Sequence, residues 1–218
     1  MNKPFAIFDM DGTLVDSMVY WQRLGREYLT AQGVTKGVDE VLERIKAMTM
    51  AESSALFIKT FGLPGTPESV AAEMNAVMDE HYRSDIPLKP GAADYLAALK
   101  ARGTKMCVAT ATPEPLARAC LERLGVLEDF AFLLSCDEVA AGKDKPDVFF
   151  EAARRLGSAP AETAAFEDAL FAARTAKDAG FYTVGVYDAS GDGHWNELTA
   201  LADETVRDWS AAAERMKI

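Results

Sequence analysis

Phe5-Ala6-Ile7-Phe8 is apolar at every position, and the run ends abruptly in Asp9-Met10-Asp11-Gly12-Thr13. A short segment without polar alternation predicts a strand buried on both faces, as in the centre of a parallel sheet. Ligand sites of open α/β sheets lie beyond the carboxyl ends of such strands, which is where Asp9 falls. Side chains two apart on an extended chain share a side, so Asp9 and Asp11 can face one small site. Gly12 then permits an immediate turn.

From Asp16 the apolar spacing changes to a helical period. Four segments follow, marked by Trp21, Leu24 and Tyr28; by Val38, Val41, Leu42 and Ile45; by Ala51, Ala55 and Ile58; and by Val70, Met74 and Val77. Gly33, Gly62 and the stretch Leu63-Pro64-Gly65-Thr66-Pro67 separate them. The pattern predicts a four-helix insert over residues 16–86 within an α/β domain made of 1–15 and 87–218. Beyond Gly91, short β-rich runs near Lys105 to Ala109, Ala131 to Leu134, Ala164 to Phe166 and Tyr182 to Val186 alternate with amphipathic helices, which implies βαβ units. One helix reads as capped by Thr112, opened by Pro113 and stopped by Gly125, with Leu116, Cys120, Leu121 and Leu124 buried. Pro146 opens and Gly157 closes another, and Ala202 to Val206 reads as a final strand.

The 218 residues, 49% hydrophobic, suffice for a core domain with a smaller insert. A net charge of -11 argues against a nucleic-acid surface and against membrane attachment, and makes a small anionic substrate dependent on locally placed cations. Cys107, Cys120 and Cys136 are odd in number and widely spaced, and so read as reduced and structural. No signal segment and no bilayer-spanning run is evident, so a cytoplasmic monomer or homodimer is expected.

Four clusters fall at predicted strand ends: Asp9 with Asp11, Thr110-Ala111-Thr112, Lys143, and Glu167-Asp168. Carboxylates for a hard cation, a hydroxyl beside a helix start and one lysine form a set suited to a Mg²⁺-bound phosphoryl group. Asp9, Asp168 and the Asp11 backbone carbonyl would suffice as protein ligands, because Mg²⁺ retains water and phosphate oxygens. Other residues read as structural. Asp16 and Ser17 suit an N-cap, His81 follows the apolar face marked by Val77, and neither His81 nor His194 has metal-ligand spacing. Trp21 admits two readings, a substrate-pocket wall and a core aromatic.

The stretch Asp9-Met10-Asp11-Gly12-Thr13 after an apolar strand resembles the first motif of the haloacid dehalogenase superfamily. Val108 to Thr112, Gly142-Lys143-Asp144-Lys145-Pro146-Asp147-Val148-Phe149 and Phe166-Glu167-Asp168 resemble its later motifs in order and spacing. The resemblance implies a Rossmann-like core, and the helical insert is similar to the cap of the subfamily that includes β-phosphoglucomutase and phosphoglycolate phosphatase. It also implies a Mg²⁺-dependent phosphatase of a small phosphorylated metabolite. Asp9 would be the nucleophile that forms an aspartyl-phosphate, and Asp11 the general acid and base. Thr110 would bind the phosphoryl group, and Lys143 would neutralise it and orient Asp9. Asp168 would bind the metal, with Glu167 acting through water or steadying the ligands. Substrate contacts are expected from Met10, Asp11, Thr110, Ala111 and Lys143, with Trp21 from the insert.

Asp144 stands where relatives carry proline, Lys145 competes with Lys143 as the less suited phosphate ligand, and Ala172 stands where glycine is usual. A phosphomutase is the nearest rival reading, but its cap arginine corresponds to Met50 within Lys46-Ala47-Met48-Thr49-Met50-Ala51-Glu52. Dehalogenation is disfavoured by the acid at Asp11. Phosphonate cleavage would need a Schiff-base lysine, for which Lys46 and Lys59 lack a diagnostic context. A metabolite-binding protein without catalysis has no use for the nucleophile. Linkers near Val15 to Ser17 and Ile86 to Gly91 would let the insert open and close, and the insert would hold most of the specificity.

Overall fold

The computed structural model describes residues 2–45, 48 and 50–216; Lys46, Ala47 and Thr49 lie outside the described residues. The chain divides into two units, Met1–Met18 with Asp85–Ile218, and Val19–Ser84.

In the larger unit, β1 (Phe5–Phe8), β2 (Lys105–Thr110), β3 (Leu133–Ser135), β4 (Thr163–Glu167), β5 (Tyr182–Val186) and β6 (Glu204–Val206) form one sheet. Their spatial order is β3-β2-β1-β4-β5-β6, and every neighbouring pair is parallel. This is the expected α/β architecture. Strand order reverses between β1 and β4, which opens a crevice at their carboxyl ends. The third strand begins two residues later than its apolar run suggests, although the Ala131 N–H already donates to the Met106 carbonyl at 2.8 Å.

The smaller unit holds α1, which starts at the boundary (Met18–Ala31), α2 (Val38–Ile45), α3 (Met50–Phe61) and α4 (Pro67–Ser84). Leu24, Tyr28, Val41, Val70 and Met74 are buried as their spacing predicts. The third helix corrects its expected stripe. Ala51 and Ala55 are exposed and Ile58 is only half-buried, while Ser53, Ser54 and Phe57 are buried. Ser54 tolerates burial because its hydroxyl donates to the Met50 carbonyl at 2.8 Å, one turn back. Phe57 is drawn inward by Gly25, where an added Cβ would lie 3.2 Å from its ring.

The remaining helices are α5 (Ala92–Ala101), α6 (Glu114–Arg123), the single turn α7 (Cys136–Val139), α8 (Asp147–Leu156), α9 (Leu170–Asp178), α10 (Trp195–Leu201) and α11 (Trp209–Met216). Strand alternation sorts the core into two layers. Ile7, Cys107, Ala109 and Ala165 pack in one cluster with Val148, Phe149 and Ala152 of α8 and Ala172 and Ala176 of α9. Phe8 and Phe166, in register on β1 and β4, stack at 4.2 Å and meet the Trp209 ring at 6.3 and 5.8 Å. Each such buried aromatic stabilises the fold by roughly 1.5–3 kcal/mol. Gly157 ends α8 in the left-handed conformation, as its position predicts.

The two linker segments are stitched together. Val15 bridges Leu88 in antiparallel sense, the Asp16 N–H donates to the Pro87 carbonyl at 2.9 Å, and the Lys89 N–H donates to the Leu14 carbonyl at 2.8 Å. The Lys89 ammonium donates to the Asp188 carboxylate at 2.7 Å and to the Tyr187 carbonyl at 2.9 Å, so the second linker is tied to the end of β5. No helix among the described residues is long and apolar enough to cross a membrane.

Candidate active site

The register of β1 with β4 sets Phe8 opposite Phe166, so the next residues, Asp9 just past β1 and Glu167 at the last position of β4, stand side by side. The Asp9 N–H donates to the Phe166 carbonyl at 3.0 Å, which extends the ladder to the carboxyl edge of the sheet. Asp9 is two residues beyond Ile7 and Glu167 two beyond Ala165, so both continue the side covered by α8 and α9. Lys143 stands just ahead of α8 on that same side. Its ammonium donates to Asp9 Oδ1 and, at 2.8 Å, to Glu167 Oε1, and all three residues are buried.

Gly12 adopts φ +79° and approaches Asp168 so closely that an added Cβ would lie 2.3 Å from Oδ2. The neighbouring Thr13 hydroxyl donates to Asp168 Oδ1 at 3.1 Å. One carboxylate oxygen each from Asp9, Glu167 and Asp168 lies within 4.8 Å of the others. Three carboxylates around one small volume, with a single lysine among them, leave an excess of negative charge and a set of hard oxygen donors. That set fits Mg²⁺, which prefers oxygen ligands and needs few from the protein.

The charges respond to this crowding. Burial pulls the Lys143 ammonium down, but the Asp9 and Glu167 carboxylates outweigh it and hold the group above the ordinary lysine range. Burial pushes Glu167 well above the carboxylate range, with Lys143 opposing and Asp9 reinforcing the shift. Burial and the Asp9 charge push Asp168 up to about 7, against the Thr13 hydrogen bond. A cation bound there would reverse this shift by favouring the ionised form.

Asp11 points elsewhere. Its two carboxylate oxygens accept from the Ser17 hydroxyl at 2.7 Å and the Thr112 hydroxyl at 2.6 Å. Its side chain stands outside the Asp9, Glu167 and Asp168 cluster, so a ligand role for Asp11 rests on its backbone carbonyl. These bonds revise one expectation from local spacing, the cap at Thr112. Ser17 and Thr112 turn their hydroxyls to Asp11, and α6 begins after Pro113 with no side-chain cap. A hydrogen bond from a hydroxyl to an ionised carboxylate is charge-assisted and stronger than a neutral one.

Thr110 is buried, and its oxygen accepts from the Thr112 N–H at 3.0 Å, which leaves the hydroxyl proton for donation. Ala111 is exposed beside it. The Met10 side chain is fully buried in the core, and its carbonyl accepts from the Leu14 and Val15 N–H groups to close the turn. Trp21 belongs to the helical unit, where its indole N–H donates to the Tyr82 hydroxyl at 3.2 Å. His81 is half-buried in the same unit, 3.0 Å from a Glu27 oxygen and against the Tyr20 ring. Lys145, like Lys59 in the helical unit, is exposed. The three cysteines are buried free thiols, and burial pushes Cys120 up to about 11.

Neither Thr13, although it lies in the first motif, nor Trp209 carries a local sequence signal of a site role. The Trp209 indole N–H donates to the Thr13 carbonyl at 3.0 Å across 196 positions of chain. No local pattern signals a contact of that span.

A family model described as haloacid dehalogenase-like hydrolase matches residues 5–180. The "Probable phosphatase IndB" of Dickeya dadantii (strain 3937) is 33% identical over 189 residues, covering 84% of this chain and 81% of its own. The phosphoglycolate phosphatase of Escherichia coli (strain K12) is 30% identical over 201 residues, covering 82% of this chain and 79% of its own. Among solved structures, CbbY from Rhodobacter sphaeroides in complex with phosphate superposes with a TM-score of 0.73 at 26% identity, over 96% of each chain.

Proposed function

The chain belongs to the haloacid dehalogenase-like hydrolases, and from that premise we propose that it is a Mg²⁺-dependent phosphatase of a small phosphomonoester, a sugar phosphate or similar metabolite. The observation that carries this reading is the buried contact of Lys143 with both Asp9 and Glu167 beside Asp168, at the point where strand order reverses. The names of the phosphatase relatives support the same class of substrate.

Lys143 engages Asp9 Oδ1, so the other carboxylate oxygen is the nucleophile. It forms a bond to phosphorus while the ester oxygen departs, and Asp11 gives that oxygen a proton. Water then attacks the aspartyl-phosphate, Asp11 takes the proton, and the bond to Asp9 breaks to release phosphate. The hydroxyls of Ser17 and Thr112 suit both protonation states of Asp11, because a hydroxyl donates to a carboxylate and accepts from a carboxylic acid. Lys143 orients Asp9 before the first step and balances phosphoryl charge during it. Thr110 donates its hydroxyl proton to a phosphoryl oxygen. Mg²⁺ held by Asp9, Asp168 and the Asp11 carbonyl would supply further charge neutralisation.

This reading carries with it a cytoplasmic monomer or homodimer acting on a free metabolite, with no nucleic-acid or membrane partner. A panel of sugar phosphates, phosphoglycolate, nucleotides and an aryl phosphate, assayed for phosphate release with Mg²⁺ and with chelator, tests it. Release that requires Mg²⁺ is the expected outcome. Silence across the panel from folded protein would overturn the phosphatase assignment and favour a mutase.

A further inference from the structure

Trp209 opens α11, far along the chain from every residue of the proposed mechanism, yet it touches three of the segments that carry that mechanism. Its ring lies 6.3 Å from Phe8, which precedes Asp9, and 5.8 Å from Phe166, which precedes Glu167 and Asp168. Its indole N–H donates to the buried Thr13 carbonyl at 3.0 Å, and the Thr13 hydroxyl donates to Asp168 Oδ1 at 3.1 Å. The first turn of α11 is itself fixed, since a Cβ on Gly91 would fall 2.3 Å from the Ser210 backbone nitrogen. Tyr95 adds a ring contact at 4.8 Å.

A buried carbonyl in a turn is held by whichever donor reaches it, and here that donor is a rigid indole with no other polar group. The direction of the Thr13 side chain depends on where the Thr13 backbone is held. Thr13 in turn restrains one Asp168 oxygen, leaving the carboxylate little freedom to rotate.

We propose that Trp209 is a positioning residue for the cation site: through its N–H it fixes Thr13, and through the Thr13 hydroxyl it orients the Asp168 carboxylate. The inference rests on the assignment of Asp168 as a cation ligand under the proposed function. Partners that orient metal ligands typically govern affinity by about 10- to 100-fold, and a residue acting one bond further back should govern it by about three- to tenfold.

The test is a double-mutant cycle read by Mn²⁺ binding in electron paramagnetic resonance, which needs no turnover. Trp209→Phe keeps an aromatic ring and removes the donor, whereas Thr13→Val removes the hydroxyl. Trp209→Phe should weaken Mn²⁺ binding about three- to tenfold, and the double variant should bind no more weakly than Thr13→Val alone. KM for the phosphomonoester at saturating metal should stay at the wild-type value. Replacement of the Trp209 indole by benzothiophene, which keeps the shape and loses the N–H, should reproduce the loss and provides the test if the phenylalanine variant does not fold. Mn²⁺ affinity within about twofold of wild type for both Trp209 variants, or losses that multiply in the double variant, would overturn the inference and leave the phosphatase reading intact. A wild-type protein that binds no Mn²⁺ would overturn the reading beneath it.

Discussion

Replacement of Lys143 by methionine keeps most of the side-chain volume and removes one charge from a place where water cannot compensate. The ammonium contacts Asp9 and Glu167, whose side chains are 10% and 2% exposed, while its own is 6% exposed. Without it, two buried carboxylates face each other beside Asp168. Removing one partner of a buried ion pair typically costs about 3–5 kcal/mol. At about 2–4 °C per kcal/mol for a domain of this size, the melting temperature in chelator should fall by about 6–20 °C at pH 8. Burial and Asp9 already raise Glu167 well above its ordinary value, and loss of the opposing ammonium raises it further. A group raised in the folded state binds more protons there than in the unfolded chain. Its contribution to stability is therefore present below the ordinary carboxylate range and lost as pH rises through the folded value. The deficit of Lys143→Met should then be smaller at pH 5 than at pH 8, in thermal unfolding followed by circular dichroism. Turnover should fall by about 10³-fold. A melting temperature at pH 8 within about 2 °C of wild type, or an equal deficit at both pH values, would refute this electrostatic account.

Three further outcomes are expected. Asp11→Asn keeps an acceptor for one of the Ser17 and Thr112 hydroxyls and presents a donor to the other but loses proton transfer, so rapid-quench measurement should show hydrolysis of the phosphoenzyme slowed by about 10²- to 10⁴-fold, and an unaltered rate would remove Asp11 from the acid and base role. Because Asp168 is raised to about 7, a proton competes with the cation below that pH: the apparent Mn²⁺ dissociation constant should rise by about fivefold from pH 7 to pH 6 and level off above pH 7.5, whereas a flat profile would contradict the shift. Gly12→Ala places a Cβ 2.3 Å from Asp168 Oδ2 in a backbone conformation of φ +79°, so calorimetry should show weakened metal binding together with a lower melting temperature, and wild-type values for both would contradict the close packing.

The parts of the fold that were legible in the sequence are those in which a local pattern and a tertiary role coincide. The apolar run Phe5–Phe8 could be read as a central strand because both its faces are buried, and β1 does lie between β2 and β4. Asp9, Lys143, Glu167 and Asp168 stand at chain positions where strands and helices begin or end, so the topology brings them together. The sequence misled where a local and a distant partner compete for one group. Thr112 carries an ordinary cap signal, yet its hydroxyl donates to Asp11 and α6 begins without a side-chain cap. In α3 the helical period admits more than one face, and the presence of Gly25 opposite Phe57 decides which is buried. Thr13 with Asp168, and Trp209 with Thr13, span 155 and 196 positions, and neither pairing leaves a trace in spacing or composition.

The central claim is covalent chemistry at Asp9. Its direct measurement is mass spectrometry of enzyme acid-quenched during turnover of whichever phosphomonoester the panel identifies. The account predicts a transient phosphoryl adduct on the peptide containing Asp9, absent from a folded Asp9→Asn variant that also releases no phosphate. Phosphate release without any adduct, or turnover at the wild-type rate by Asp9→Asn, would contradict it.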